Sequence, residues 1–292
     1  MSGRGFGPLV DVRQLAEQID EPALRIYDCG VDIVRPEAGS ELTFQTDAQR
    51  AAWSERHIPG AAFADLVALS DNENGQWMML PTPDAFAAKV GALGIGDGTR
   101  VVLYDAGMNM WAARFRWMLR VHGFDSVAVL DGGWRAWTAA GQAVSSEPAP
   151  YEPSEFTPRM RPELVVSTDE VASVVDARAA ATLVNAVGRE QHRGRGEFHA
   201  GRPGHIPGSV NVPYSALVDP KTHAFLSSEE LKRVFDDEGV STAMPTVAYC
   251  GGAIAACSAA LALELIGFDD VAVYDGSLRE WARDPGRPLI TG

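Results

Sequence analysis

The sequence predicts an α/β protein of two tandem domains, each a small, mainly parallel sheet flanked by helices. Two observations carry this expectation: an internal repeat that spans most of the chain, and an alternation of short apolar runs with helical patterns. A third supports it. A chain of 292 residues, 46% of them hydrophobic, can bury two cores of ordinary size.

The repeat is read first, because missing one misassigns the whole fold. The segment Arg56-His57-Ile58-Pro59-Gly60-Ala61 is answered by Gly204-His205-Ile206-Pro207-Gly208-Ser209, and Val101-Val102-Leu103-Tyr104-Asp105 by Val247-Ala248-Tyr249-Cys250. Gly123-Phe124-Asp125 recurs as Gly267-Phe268-Asp269. Val127 to Gly133 with Trp137 recurs as Val271 to Gly276 with Trp281, so the order and a register of 144 to 148 residues are kept.

Taken in chain order, residues 1–7 lack the apolar core of a signal peptide. Residues 24–27 read as a strand with Cys29 after it. Gly94-Ile95-Gly96-Asp97-Gly98 precedes a strand instead of following one, which makes it a turn and not a dinucleotide fingerprint. Residues 101–103 and 127–130 are β-rich apolar runs bounded by turn residues, the pattern of buried parallel strands. Between them, 111–121 has a helical pattern containing Arg114. Residues 141–162 hold Pro148, Pro150, Pro153, Pro158 and Pro162 and read as an exposed, extended connector. The expected domains are therefore 8–143 and 164–292, joined by a linker over 144–163. In the second half, 246–248 and 271–274 are strands. Residues 255–266, nearly all Ala, Leu and Ile, form a helix buried on most faces. Such sheets place their ligand sites at the carboxyl ends of the strands.

Charge and cysteine usage exclude several classes of function. With 39 acidic against 25 basic residues the net charge is −14, which repels phosphate backbones and anionic lipid surfaces, so neither nucleic acid nor membrane is an expected partner. No stretch approaches the roughly 20 apolar residues of a membrane span. A cytoplasmic location is expected. Three cysteines without CxxC spacing suggest neither a disulfide framework nor a zinc site, and six scattered histidines suggest no metal; no cofactor is expected.

Cys250 stands where such folds carry chemistry. It follows the strand ending at Tyr249, and Gly251, Gly252, Ala253, Ile254 and Ala255 lead into the helix. Small residues let backbone N–H groups converge on one point at the helix N-terminus, where the dipole favours negative charge. A thiolate is stabilised there, and a persulfide anion would be held by the same cradle. The competing reading is a cysteine used as a small hydrophobe, the reading assigned to Cys29 and Cys257. Phosphatase chemistry on a cysteine loop needs an arginine about six residues downstream for bidentate oxyanion binding, and position 256 is Ala.

Glu55 to Phe63, Tyr104-Asp105, Leu130-Asp131-Gly132-Gly133 and Tyr249-Cys250-Gly251-Gly252 together resemble the tandem rhodanese family, over about residues 10–288. The resemblance implies a thiosulfate or 3-mercaptopyruvate sulfurtransferase. In it, Cys250 takes sulfur from a small anionic donor as a persulfide and passes it to a thiol or cyanide acceptor. It also implies an inactive first domain, with Asp105 at the cysteine position. A non-turnover persulfide carrier that relays sulfur to an accepting protein is the alternative.

The sequence departs from the family at two places. The loop after Cys250 has neither the basic residues of thiosulfate enzymes nor the hydroxyl residue of mercaptopyruvate enzymes. Asn185-Ala186-Val187 stands where the family usually has Asp, a small residue and Arg. Resemblance places donor-anion contacts in the segment that follows, with Arg193 as the first candidate and Arg189 and Arg202 as alternatives; Arg195 completes a local cationic cluster that is otherwise a solvated loop. His57 matches a first-domain histidine of the mercaptopyruvate branch, with Asp47 as its nearest acid and a structural role beside the Ile58-Pro59-Gly60 turn as the alternative. Arg114 is either a cleft residue or a salt-bridged one.

Overall fold

The computed structural model describes residues 6–34, 45–73, 77–196, 199–241 and 243–292, so residues 1–5 of the N-terminal reading lie outside it. Two compact units emerge. The first is drawn from residues 1–33, 46–161 and 221–224, the second from 34–45, 162–220 and 225–292.

Strands β1 (Leu9–Val10), β2 (Leu24–Asp28), β5 (Ala61–Phe63), β6 (Arg100–Tyr104) and β7 (Val127–Leu130) form the first unit's sheet in the order β1-β7-β6-β2-β5. Strands β3 (Val31–Val34) and β4 (Gln45–Ala48) form a separate ladder. The second unit's strands are β8 (Val165–Val166), β9 (Thr182–Asn185), β10 (Val210–Asn211), β11 (Thr246–Tyr249) and β12 (Val271–Tyr274), in the order β10-β9-β11-β12-β8. Both five-stranded orders are the same arrangement, and their pairings are parallel. The repeat is thus one of topology as well as sequence.

Burial explains the strand pattern. Val101 to Tyr104, Val127 to Leu130 and Thr246 to Tyr249 are all buried, as strands covered on both faces must be. The helix Met110–Val121 backs β6, and the helix Ile254–Leu265 backs β11 and β12. From Ile254 to Leu263 the latter is buried at every residue except Ala260, which accounts for its lack of charge before Glu264. In the first unit the core joins Val10, Ile26, Val102, Ala128 and Leu130 to Trp137.

The proline-rich connector differs from its expectation. Its backbone is extended, but it is fastened to the first unit: Ser145 bridges His57, Ser154 N donates to Gly91 O at 2.9 Å, and Arg159 N to His122 O at 2.8 Å. Phe156 is buried against Phe86 and Phe124. Its close approach requires glycine along the facing loop, because a Cβ on Gly91, Gly94 or Gly123 would lie 2.4 to 2.7 Å from connector carbonyl oxygens. The run 94–98 is the turn expected, with Gly94 and Gly98 both at φ +85°.

Candidate active site

Strand β11 ends at Tyr249, so Cys250 enters the turn at the carboxyl edge of the second sheet, where it is 4% exposed. Gly251 and Gly252 follow, partly exposed, and Ala253 turns the chain into the helix from a left-handed conformation, φ +61°. No side chain caps this helix, so its positive end is presented to the loop that carries the sulfur.

The loop is held from below by Ser277. Its Oγ accepts from Cys250 N at 3.1 Å and from Ala253 N at 3.0 Å, and donates to Tyr274 O at 2.9 Å. Ser277 is fully buried and itself adopts φ +52°. Leu278 N and Arg279 N, at the start of the helix Ser277–Trp281, bond to Cys250 O and Gly251 O, each at 3.0 Å. This corrects one expectation: the Ala253 amide is engaged by Ser277, so Ala253 supplies the turn and not a donor. Gly251, Gly252, Ile254 and Ala255 remain as the cradle candidates.

The first unit repeats this construction with a carboxyl group inside it. Asp105 takes the position of Cys250, 1% exposed, and its Oδ1 accepts from Gly107 N at 2.7 Å and Asn109 N at 3.1 Å while Oδ2 accepts from Ala112 N at 2.9 Å. Burial pushes its carboxyl up, and the backbone N–H groups pull against that. Asn109 turns into its helix at φ +62° as Ala253 does, and Gly133 matches Ser277 at φ +51°. Trp134 N bonds to Asp105 O at 3.0 Å, as Leu278 N bonds to Cys250 O. The loops differ in length, residues 106–109 against 251–253, which accounts for the shift in register, and in the cap amide, which Asp105 receives from Asn109 while Ser277 takes that of Ala253.

The other sequence candidates separate into groups. His57 is a structural residue: it is fully buried and stacked on Trp53, with Nδ1 2.7 Å from Trp53 O and Nε2 3.0 Å from Glu147 O, so no ring nitrogen is left for substrate. Arg202 is likewise committed, clamping Ala282 O, Asp284 O and Arg287 O at 2.7 to 3.0 Å, which corrects its reading as a donor contact. Arg193 pairs with Glu190 at 2.8 Å and Arg189 with Glu238 at 2.5 Å, both with exposed guanidinium groups; Arg195 also lies by Glu190. Such exposed pairs exchange partners readily. Arg114 is buried, donating to Met78 O at 2.6 Å over the Trp117 ring, and Asp47 is exposed on β4. Cys29 and Cys257 are core residues, and burial together with Asp28 and Asp105 pushes the Cys29 thiol far up.

Ser277 escaped the sequence reading, as did Arg279, whose amide touches the loop. The signal was present: Asp275-Gly276-Ser277 answers Asp131-Gly132-Gly133, so Ser277 occupies the place of a glycine.

A buried cysteine at the uncapped N-terminus of a helix, at the carboxyl edge of a parallel sheet whose twin holds an aspartate in its place, is the arrangement of a protein of group-transfer class. The rhodanese-like domain family matches the chain twice, over residues 7–140 and 165–284. The chain is 36% identical to 3-mercaptopyruvate sulfurtransferase of Rattus norvegicus over 283 residues, 94% of this chain and 92% of that protein. It is equally 36% identical to thiosulfate sulfurtransferase of the same species over 293 residues, covering 95% and 93%. A crystal structure of SseA from Escherichia coli, a 3-mercaptopyruvate enzyme of rhodanese fold, superposes with a TM-score of 0.80 at 30% identity over 93% of this chain and 99% of that one. The chain belongs to the rhodanese family, as a sulfurtransferase with two tandem domains.

Proposed function

We propose that Cys250 carries sulfur as a persulfide between thiosulfate or 3-mercaptopyruvate and a thiol or cyanide acceptor. The supporting observation is Asp105. A carboxylate oxygen and the outer sulfur of a cysteine persulfide are the same number of bonds from Cα, and in the first unit the carboxyl group receives three backbone N–H groups, two on Oδ1 and one on Oδ2. The second unit's loop, one residue shorter and with its Ala253 amide bound to Ser277, leaves the amides of Gly251, Gly252, Ile254 and Ala255 for a sulfur anion.

In the first step the Cys250 thiolate attacks the donor's outer sulfur. From thiosulfate the S–S bond breaks and sulfite leaves with the electron pair; from 3-mercaptopyruvate the C–S bond breaks, the thiol proton ends on carbon and pyruvate leaves. In the second step an acceptor thiolate or cyanide attacks the outer sulfur, and Cys250 departs as thiolate. Arg193, with Arg189 beside it, meets the donor's negative charge, because both guanidinium groups are exposed and their surface ion pairs are weak. The acidic surface and the three free cysteines support action in the cytoplasm; among the described residues no helix is long and apolar enough to cross a membrane.

Mass spectrometry tests the reading. Incubation with either donor is expected to add one sulfur, about 32 Da, to the Cys250 peptide, and none to Cys250→Ala. No adduct from either donor would refute it. Arg193→Ala is expected to raise the apparent donor KM severalfold with kcat little changed.

A further inference from the structure

The departure at Asn185 acquires a meaning when the two units are compared. Asn185 is the Cα partner of Tyr249 at the end of β9, one residue short of Cys250; in the first unit Asp28 is the partner of Tyr104, one residue short of Asp105. The same site therefore carries a carboxyl group beside the loop of Asp105 and an amide beside the cysteine.

The surroundings have changed to match. Asp28 accepts from Gly30 N at 2.9 Å and from the Tyr104 hydroxyl. Asn185 instead donates to the Tyr249 hydroxyl, donates through Nδ2 to His192 Nδ1 at 3.0 Å, and accepts from Val187 N at 3.2 Å. The Tyr249 hydroxyl donates a hydrogen bond to Ser209 Oγ at 2.7 Å, where the first unit has Ala61. His192 stacks on His205 with ring centroids 3.7 Å apart, and Trp53 occupies its place against His57. The groups facing Asn185 are thus Tyr249 on β11, His192 with Arg189 and Arg193 on and beside the short helix Arg189–His192, and His205 behind it.

We propose that Asn185 is a positioning residue whose uncharged amide keeps negative charge away from the Cys250 sulfur, so that thiolate and persulfide form with no carboxylate beside them. The proposal rests on the sulfur-carrying reading of Cys250. The first unit displays the opposite case: burial, with repulsion from Asp105 adding to it, lifts Asp28 to about 6, and burial together with both carboxyl groups suppresses ionisation of the neighbouring Cys29 thiol. In the second unit the Tyr249 hydroxyl feels Cys250 in the same way. His192 fixes the amide's orientation, since its Nδ1 must accept. Burial, His205, Arg193 and Arg189 hold that imidazole unprotonated down to about pH 4.

The test compares wild type, His192→Phe and the double variant Asn185→Asp with His192→Phe, which leaves the new carboxylate without a proton-accepting neighbour. Iodoacetamide reacts only with thiolate, and modification is followed on the Cys250 peptide. With rates followed from about pH 5 to 10, the double variant is expected to react about tenfold more slowly than His192→Phe wherever the thiol form predominates, an electrostatic effect at an effective dielectric of about 20. The gap should close at a pH where every accessible thiol is ionised. Equal rates, or a deficit that persists at high pH, would overturn the proposal. The single variant Asn185→Asp gives a second reading by NMR: His192 is expected to titrate near neutrality instead of near 4, and an unmoved His192 counts against the proposal. If wild type takes up no sulfur from either donor, the persulfide reading fails separately, because alkylation needs no donor.

Discussion

Ser277 holds the catalytic loop at the expense of its own backbone. A left-handed conformation costs a residue with a side chain about 1 kcal/mol, and Ser277 adopts it with its hydroxyl spent on the amides of Cys250 and Ala253. Ser277→Ala would leave those amides without their acceptor in a site closed to water and is expected to lower stability by about 2 kcal/mol. Ser277→Gly loses the same bonds but relieves the backbone, so it should lose about 1 kcal/mol less. Urea unfolding ranks the two variants. Steady-state rates should show kcat reduced in both with donor KM nearly unchanged; a change in KM alone would remove Ser277 from the loop's support. Cys250 was legible because its neighbours are small and its twin is Asp105. Ser277 was not, because nothing local marks a serine as left-handed. His57 was misleading for the converse reason: a histidine next to Ile-Pro-Gly carries the same letters whether its nitrogens face substrate or backbone carbonyls.

Among the secondary elements, the connector gives the sharpest sign. Gly91 lies inside the helix Pro83–Ala92, where alanine normally adds about 0.5–1 kcal/mol. Here a Cβ would come within 2.6 Å of Ser154 O. Gly91→Ala is therefore expected to destabilise the first unit, with faster hydrogen exchange at the Ser154 amide, and a stabilised variant would show that the connector is loosely held. The helices Met110–Val121 and Ile254–Leu265 were legible to within a residue because continuous apolar surface leaves them nowhere else to go. The docking of residues 145–161 was not, since proline-rich polar sequence reads as solvent-exposed and only its facing glycines betray the contact. Strand β9 was missed too, its apolar content being Leu183 and Val184 alone.

Across the whole molecule one buried group in each unit, Asp28 in the first and His192 in the second, responds to acid in the opposite direction to the other. Asp28 loses its proton near 3.8 when unfolded and near 6 when folded, so the stability it contributes is complete below about pH 4 and fades as pH rises to 6. His192 takes a proton near 6.5 when unfolded and near 4 when folded, so the second unit is at full strength above 6.5 and weakens as pH falls toward 4. In calorimetry between pH 4.5 and 7, Asp28→Asn is expected to gain stability relative to wild type as pH increases and His192→Phe to lose it; a pH-independent difference for either variant would contradict that assignment. The duplication itself was plain in the sequence, but this divergence was not, because it depends on which buried groups touch.

The carboxylate of Asp105 also fixes a stoichiometry. Two loops of the same design would ordinarily titrate as two sites, yet one of them is saturated from the moment the chain folds, by a ligand that cannot dissociate. A small anion or a thiol-directed inhibitor shaped for the cradle should therefore reach its endpoint at one equivalent per chain, and the filled loop serves as a built-in template for its design.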